Sequence, residues 1–204
     1  MHIMKHLIVG FLLLFPYISK SQTTIQEFYE LFKHEERKST QNSEINKVLI
    51  DEKNAFIKIE NPKDADDAIS FKCFTKNDKS KVFGFQYSAS QPALGIFMTR
   101  TEFYVYQNNE WKNVTDQVCP SLRFKDFWGS QPLPDRSLSE YNLHLILPQT
   151  GTTVLAKSAP ATKEQFVYGN LPKEYTKTFE KRKFKVIELK WNKATGKFDI
   201  GKKS

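Results

Sequence analysis

Ile69-Ser-Phe-Lys-Cys-Phe74, then Lys76-Asn-Asp-Lys-Ser80, then Val82-Phe-Gly-Phe-Gln-Tyr87: these three segments decide how the chain is read. In the first, Ile69, Phe71 and Cys73 alternate with Ser70, Lys72 and Phe74. A period of two puts alternate side chains on opposite faces of a strand. The middle segment is rich in the Asn, Asp and Ser that favour turns. The third is again aromatic and branched, as strands prefer. Two such runs joined by so short a turn predict an antiparallel hairpin.

The same pattern extends outward in both directions. Ala55–Ile59 reads as a strand, and Asn61–Asp67 as a turn-rich acidic loop. Thr101–Gln107 predicts another strand, reversed at Asn108-Asn109-Glu110 into Trp111–Val114. Thr115–Val118 reads as one helical turn stopped by Pro120, with the Thr115 hydroxyl placed to cap it. Past a loop at Gln131-Pro-Leu-Pro134 come strands over Tyr141–Leu147 and Thr152–Ala156. A final hairpin follows, Phe184–Trp191 and Lys197–Ile200, turning at Asn192–Gly196. Before all of these, Thr24 and Glu27 have capping-box spacing. Ile25, Phe28, Tyr29 and Phe32 then fall at i, i+3, i+4 and i+7, predicting an amphipathic helix over about 25–37. Ile45, Val48 and Leu49 suggest a second, short helix. The expected class is α+β: an N-terminal amphipathic helix followed by mainly antiparallel β-sheet with short hairpins. Residues 22–204 are expected to form a single domain, with β subregions at 51–120 and 139–204 joined by the Pro-rich loop.

Residues 1–21 have the three parts of a secretory signal peptide. Lys5 with His2 and His6 makes a basic start, Leu7–Phe15 an apolar run, and Ser19 and Ser21 the small residues before a cleavage point. The apolar run is far shorter than the roughly 20 residues a spanning helix needs, and no later stretch approaches that length. No Cys follows the run, so lipidation is not expected. The expected location is periplasmic or extracellular. Cleavage would leave 183 residues and, with Lys5 and Lys20 gone, lower the net charge from +8 to +6. That balance suits anionic partners such as an acidic envelope glycan, though solubility is the simpler reading of it.

Phe103-Tyr-Val-Tyr-Gln-Asn-Asn-Glu-Trp111 leads into Asn113-Val-Thr-Asp-Gln-Val-Cys-Pro120. Leu147-Pro-Gln-Thr-Gly-Thr-Thr-Val154, Leu189-Lys-Trp-Asn-Lys193 and Gly196-Lys-Phe198 come later. In this order the segments resemble a group of uncharacterised exported Bacteroidota proteins that share a Trp-x-x-Val-Thr hairpin and a late Gly-Thr-Thr strand. The resemblance spans most of the mature chain and departs at Cys119, where an aliphatic residue is expected. It brings no activity and no functional residue.

Signals for chemistry are sparse. An oxidising compartment permits a Cys73–Cys119 disulfide, and closing that loop would add about 4 kcal/mol in a chain-entropy model. Both cysteines also stand at apolar positions, where free buried Cys is common, and the sequence leaves the two readings open. After cleavage only His34 and His144 remain, neither at metal-ligand spacing. Asp64, Asp66 and Asp67 lack the calcium-loop pattern. No Gly-x-Ser-x-Gly elbow is present. No catalytic residue, metal site or cofactor is therefore expected. The aromatic surplus is the most suggestive feature. Tyr104 and Tyr106 lie opposite Phe103 and Val105, as a second core layer or as stacking platforms. Phe127 and Trp128, with Lys125 beside them, are the candidate ligand contacts. The expectation is a non-enzymatic binding or interaction module of the cell envelope, its partner an anionic glycan or another envelope protein. The rival is an exported hydrolase acting on glycan or peptide, and a third reading is a protein that pairs with another through a sheet edge.

Overall fold

The structure is a computed structural model in which residues 23–39, 47–61, 64–91, 96–130, 142–159, 166–167 and 181–204 are described. The leader (1–21) and the loop at 131–134 lie outside them, as does the side chain of His34. Helix α1 spans Ile25–Ser39. Strands β1 (Lys47–Asp51), β2 (Phe56–Asn61), β3 (Asp64–Thr75), β4 (Lys81–Gln91), β5 (Ile96–Gln107) and β6 (Glu110–Asn113) follow. They hydrogen-bond in sequence order as one antiparallel sheet. The later strands β7 (Asn142–Ile146), β8 (Thr153–Ala159), β10 (Val186–Asn192) and β11 (Lys197–Lys203) form a second sheet in the order β11-β10-β8-β7. β9 (Phe166–Val167) crosses back to pair with the start of β5.

The alternation read from the sequence places the layers. Phe71↔Phe85 and Cys73↔Phe83 are cross-strand partners, and Phe83 faces Tyr104. These side chains point to one face of the first sheet, where α1 covers them. Phe28 is fully buried there, its ring 4.8 Å from Trp111, 5.1 Å from Phe83 and 5.7 Å from Tyr104. Phe32 stacks on Phe85 at 4.4 Å. The helix begins with the capping box its sequence carries: Glu27 N–H donates to Thr24 Oγ1 (3.1 Å), and Thr24 N–H donates to Glu27 Oε2 (2.7 Å).

Phe74, Val82 and Phe103 point to the opposite face and meet Val154, Ala156, Ile187, Leu189, Trp191 and Phe198 of the second sheet. The first sheet is therefore the middle of three layers, buried on both faces. Gly84 marks the tightest approach, since a Cβ there would stand 3.1 Å from both Leu147 and Phe103. At one end the hairpins interlock. Trp191 Nε1 donates to the Thr75 carbonyl (3.1 Å) and Asn77 N–H to that of Lys193 (2.9 Å). Gly196, at φ +68°, leaves room for the Lys76 stem.

The α+β class does not hold. Among the described residues, strands in two antiparallel sheets dominate, and α1 is the one helix longer than a single turn. The architecture is a mainly antiparallel β structure with α1 as a cover on one face. A departure from expectation lies at Val48 and Leu49, expected with Ile45 in a short second helix and observed in β1. Val48, Leu49 and Ile50 are consecutive and mostly β-branched, which favours strand over helix. Their spacing fits a helix only because a short apolar run fits either period. Much of the acidic segment before Ala68 also belongs to strand, β3 beginning at Asp64.

Smaller expectations also shift. The turn Thr115–Val118 (α2) forms, but Thr115 is not its cap. Its Oγ1 accepts from Phe103 N–H (2.9 Å), and Asn113 Oδ1 instead accepts from Thr115 N–H (3.0 Å). Among the described residues no helix is long and apolar enough to cross a membrane.

Candidate functional site

Of the three residues expected to touch a ligand, the two aromatic ones are placed inside the protein. Phe127 closes a single 3-10 turn, Phe124–Phe127, whose start is held by Arg123 N–H donating to Asp126 Oδ2 (2.6 Å). Phe127 is 0% exposed and Trp128 2%, both within the core between the sheets. Their rings offer no free face for stacking; only Lys125 is on the surface. A loop Trp between Lys125 and Gly129 looks solvent-facing in the sequence because the apolar surface it packs against comes from distant strands.

The two cysteines are free. Cys73 packs with the helix-side core and Cys119 with the core between the sheets, on opposite faces of the first sheet. A disulfide needs Cβ atoms about 4 Å apart, so this separation removes the bridge. Burial pushes the Cys73 thiol up to about 11 and the Cys119 thiol up to about 12. Neither is poised as a nucleophile. Among the described residues no group of three or more His, Cys, Asp or Glu could hold a metal ion.

His144 sits in a polar groove of ≈310 Å³ between the sheets, lined also by Lys58, Ser70, Gln86, Ser88 and Gln149. Its protonation follows from its neighbour. Leu147 N–H can only donate, and it donates to Gln86 Oε1 (2.9 Å). That fixes the Gln86 amide, so Gln86 Nε2 must donate to His144 Nε2 at 3.2 Å. The imidazole is thus neutral and accepts at Nε2. Burial, then the charge of Lys157 opposite, lower its pKa to about 4. Ser88 Oγ donates to the Ala68 carbonyl (3.2 Å). Lys72, 2% exposed, donates to the carbonyls of Asn54 (2.7 Å) and Gln149 (3.1 Å), joining the β1–β2 turn to the β7–β8 loop. Burial lowers its pKa, opposed by the Asp51 charge. The bonds of Gln86 and Lys72 fasten the first sheet to the second, while that of Ser88 stays within the first.

Among the described residues, carboxyl groups with shifted acidity all shift downward. Hydrogen bonds from Asn54, Lys58 and Ser80 lower Asp51, Glu60 and Asp78 respectively. Burial works to raise Glu102, but Arg100 (2.7 Å) and the Tyr104 hydroxyl (2.5 Å) more than offset it. A glycosidase general acid needs the reverse, a carboxyl raised toward neutrality.

The surface feature with ligand-binding chemistry is a larger groove of ≈540 Å³, where the β3–β4 turn, the β5–β6 turn and the start of α1 meet. Lys76, Lys79 and Lys81 line it with Tyr106, Asn108 and Asn109. Asn108 (φ 54°) and Asn109 (φ 63°) form a two-residue turn with both centres left-handed, the geometry that closes a twisted hairpin. In the facing turn, Lys76 N–H donates to Ser80 O and Lys79 N–H to Lys76 O. Lys79 there takes φ 67°, a position that ordinarily favours Gly. Lys81 Nζ donates to the Thr23 carbonyl (2.9 Å), and Lys76 Nζ lies 3.6 Å from Asp78 at the rim. Tyr106 is 43% exposed and braced by Trp111 at 5.1 Å. The sequence singles out Tyr106 but not the lysines, because their convergence depends on two turns some 30 residues apart lying side by side.

No family model matches the chain, and no curated protein does. Its fold is similar to the structure of a domain of an uncharacterized protein from Porphyromonas gingivalis W83. The TM-score is 0.52 at 17% identity, over 88% of this chain and 91% of that one. That neighbour comes from Bacteroidota, as the sequence resemblance implied, and the likeness is one of fold.

Proposed function

We propose that this protein is an exported binding module of the cell envelope that holds an anionic glycan in the lysine-lined groove. Residues 1–21 would be removed on export, and residues 22–204 would act as one unit, periplasmic or released and without a lipid anchor. The observation that carries the reading is that Lys76, Lys79 and Lys81 line the same groove as an exposed, braced Tyr106. Lysine ammonium groups attract carboxylate, sulfate or phosphate groups on a sugar chain, while an aromatic face stacks on the pyranose ring. Asn108 and Asn109 supply amides to hydroxyls at the same rim. Lys79 occupies a backbone conformation that costs a non-glycine residue about 1 kcal/mol, and its side chain lines the groove.

The test is titration calorimetry against size-matched acidic and neutral oligosaccharides at two salt concentrations. Saturable binding of the acidic ligand, weakened by salt and by Lys79→Ala with Tyr106→Ala, is expected. Equal binding of the neutral ligand, or binding indifferent to both substitutions, would overturn the reading.

A further inference from the structure

β1 stands at the edge of the first sheet and pairs, among the described residues, only with β2. Its three central residues are large, apolar and open: Val48 is 51% exposed, Leu49 39% and Ile50 49%. Because side chains alternate along a strand, both faces of this edge are apolar. Among the described residues the other edges are blunted. β6 is four residues long and carries Glu110 and Lys112, β11 carries Lys197, Asp199, Lys202 and Lys203, and β7 lies against β5. Natural sheets avoid a bare apolar edge, because its free N–H and C=O row templates another strand. An edge with no second neighbour among the described residues calls for a partner.

The sequence of the edge says which partner fits. Lys47-Val-Leu-Ile-Asp51 is bracketed by opposite charges. When it lies antiparallel to a second copy of itself, centred on Leu49, Lys47 faces Asp51 at both ends and Val48 faces Ile50. Leu49 then faces Leu49 on the two-fold axis. A self-complementary pairing of this kind closes at two subunits. Parallel pairing would set Lys47 against Lys47 and Asp51 against Asp51, and like charges directly opposite are unfavourable. The existing pairing does not use up these charges. Asp51 accepts from Asn54 N–H (3.0 Å), Asn54 Nδ2 (2.8 Å) and Gln149 Nε2 (3.3 Å), which are neutral donors that leave its charge in place. Lys47 contacts Glu60 at 3.2 Å while its side chain stays 72% exposed. We infer that β1 is the interface of a two-fold dimer, in which the β1 strands of two copies pair antiparallel about Leu49 and join the first sheets into one.

Sedimentation velocity on the full chain across a wide concentration range tests this, with charge placed at the two-fold centre. The wild type is expected to double in mass as concentration rises. Leu49→Lys and Leu49→Glu, each alone, are expected to weaken association at least tenfold, since each sets like charges face to face. An equimolar mixture of the two variants should recover the dimer, because the lysine introduced in one chain then opposes the glutamate introduced in the other. That recovery also shows that both variants fold. A wild type monomeric at every concentration, as expected if the edge receives a strand of a different protein, would overturn the inference. So would a dimer indifferent to Leu49→Lys, or a mixture that recovers nothing.

Discussion

Acidification should loosen this protein well before its carboxylates titrate, and His144 is the reason. In the unfolded chain its imidazole titrates near the ordinary value of 6.5, whereas in the folded protein the pKa falls to about 4. The depressed value means that between these limits the unfolded state binds more protons. Stability is therefore full above pH 6.5 and falls as the pH drops toward 4. A shift of this size corresponds to roughly 3 kcal/mol, and roughly 2–3 kcal/mol should be gone by pH 4.5. The local geometry supplies the mechanism. Gln86 is locked by Leu147 N–H and presents its amide N–H₂ to His144 Nε2, so a proton added there meets a donor instead of an acceptor.

The pH window isolates the effect. Asp51, Glu60, Asp78 and Glu102 all have lowered pKa values, so their contributions are present above the ordinary carboxyl values of 3.8–4.5 and are lost only below them. Urea unfolding at half-unit steps from pH 7 to 4.5, for wild type and His144→Gln, would measure the difference directly. The wild-type curve should fall by roughly 2–3 kcal/mol relative to the variant. Parallel curves would refute the buried neutral imidazole, whatever their offset at pH 7.

Other perturbations separate packing from binding. Phe28→Ala removes the ring on which Phe32, Phe71, Phe83, Tyr104 and Trp111 converge; a loss of about 3–5 kcal/mol is expected in chemical denaturation. Trp128→Ala should cost a similar amount, about 3–5 kcal/mol, while the remaining folded fraction binds acidic glycan as the wild type does. Lys79→Gly should raise stability by about 1 kcal/mol through relief of its positive φ and weaken acidic-glycan binding in the same preparation. Mass spectrometry of protein alkylated after denaturation, without reductant, should show both Cys73 and Cys119 modified, whereas a disulfide would leave both unlabelled.

The parts of the fold legible in the sequence are those fixed by local chemistry. The Ile69–Tyr87 hairpin, the final hairpin turning at Gly196 and the Thr24–Glu27 cap depend on period-two alternation, turn residues and a three-residue spacing, all visible within about twenty positions. Even the doubly buried middle sheet leaves a trace, since Phe103 and Tyr104 are adjacent and aromatic yet serve different cores. Exposure is what the sequence does not carry. β1 passes for a helix because an apolar run without alternation looks the same in a buried helix and a bare edge strand. Trp128 passes for exposed, and the lysine groove escapes notice, because which loops are covered and which converge is settled by contacts distant in sequence.

That division bears on where function resides in this chain. Its interior holds polar groups normally associated with chemistry, His144, Lys72 and two cysteines, and the contacts and environment of each point to packing or to holding one layer against the next. Gln86 keeps His144 neutral, backbone carbonyls take up Lys72, and burial makes the thiols unreactive. Unrelieved features lie at the surface: a lysine in a conformation suited to glycine, a tyrosine braced but uncovered, and an edge strand with apolar side chains on both faces. Each carries a stability or solubility cost that a simpler residue would remove, a glycine at position 79, a polar side chain at 106 or a charge at 49. Such costs on an otherwise well-packed scaffold are what support the two proposed contacts, a charged glycan at the turns and a second copy at the edge.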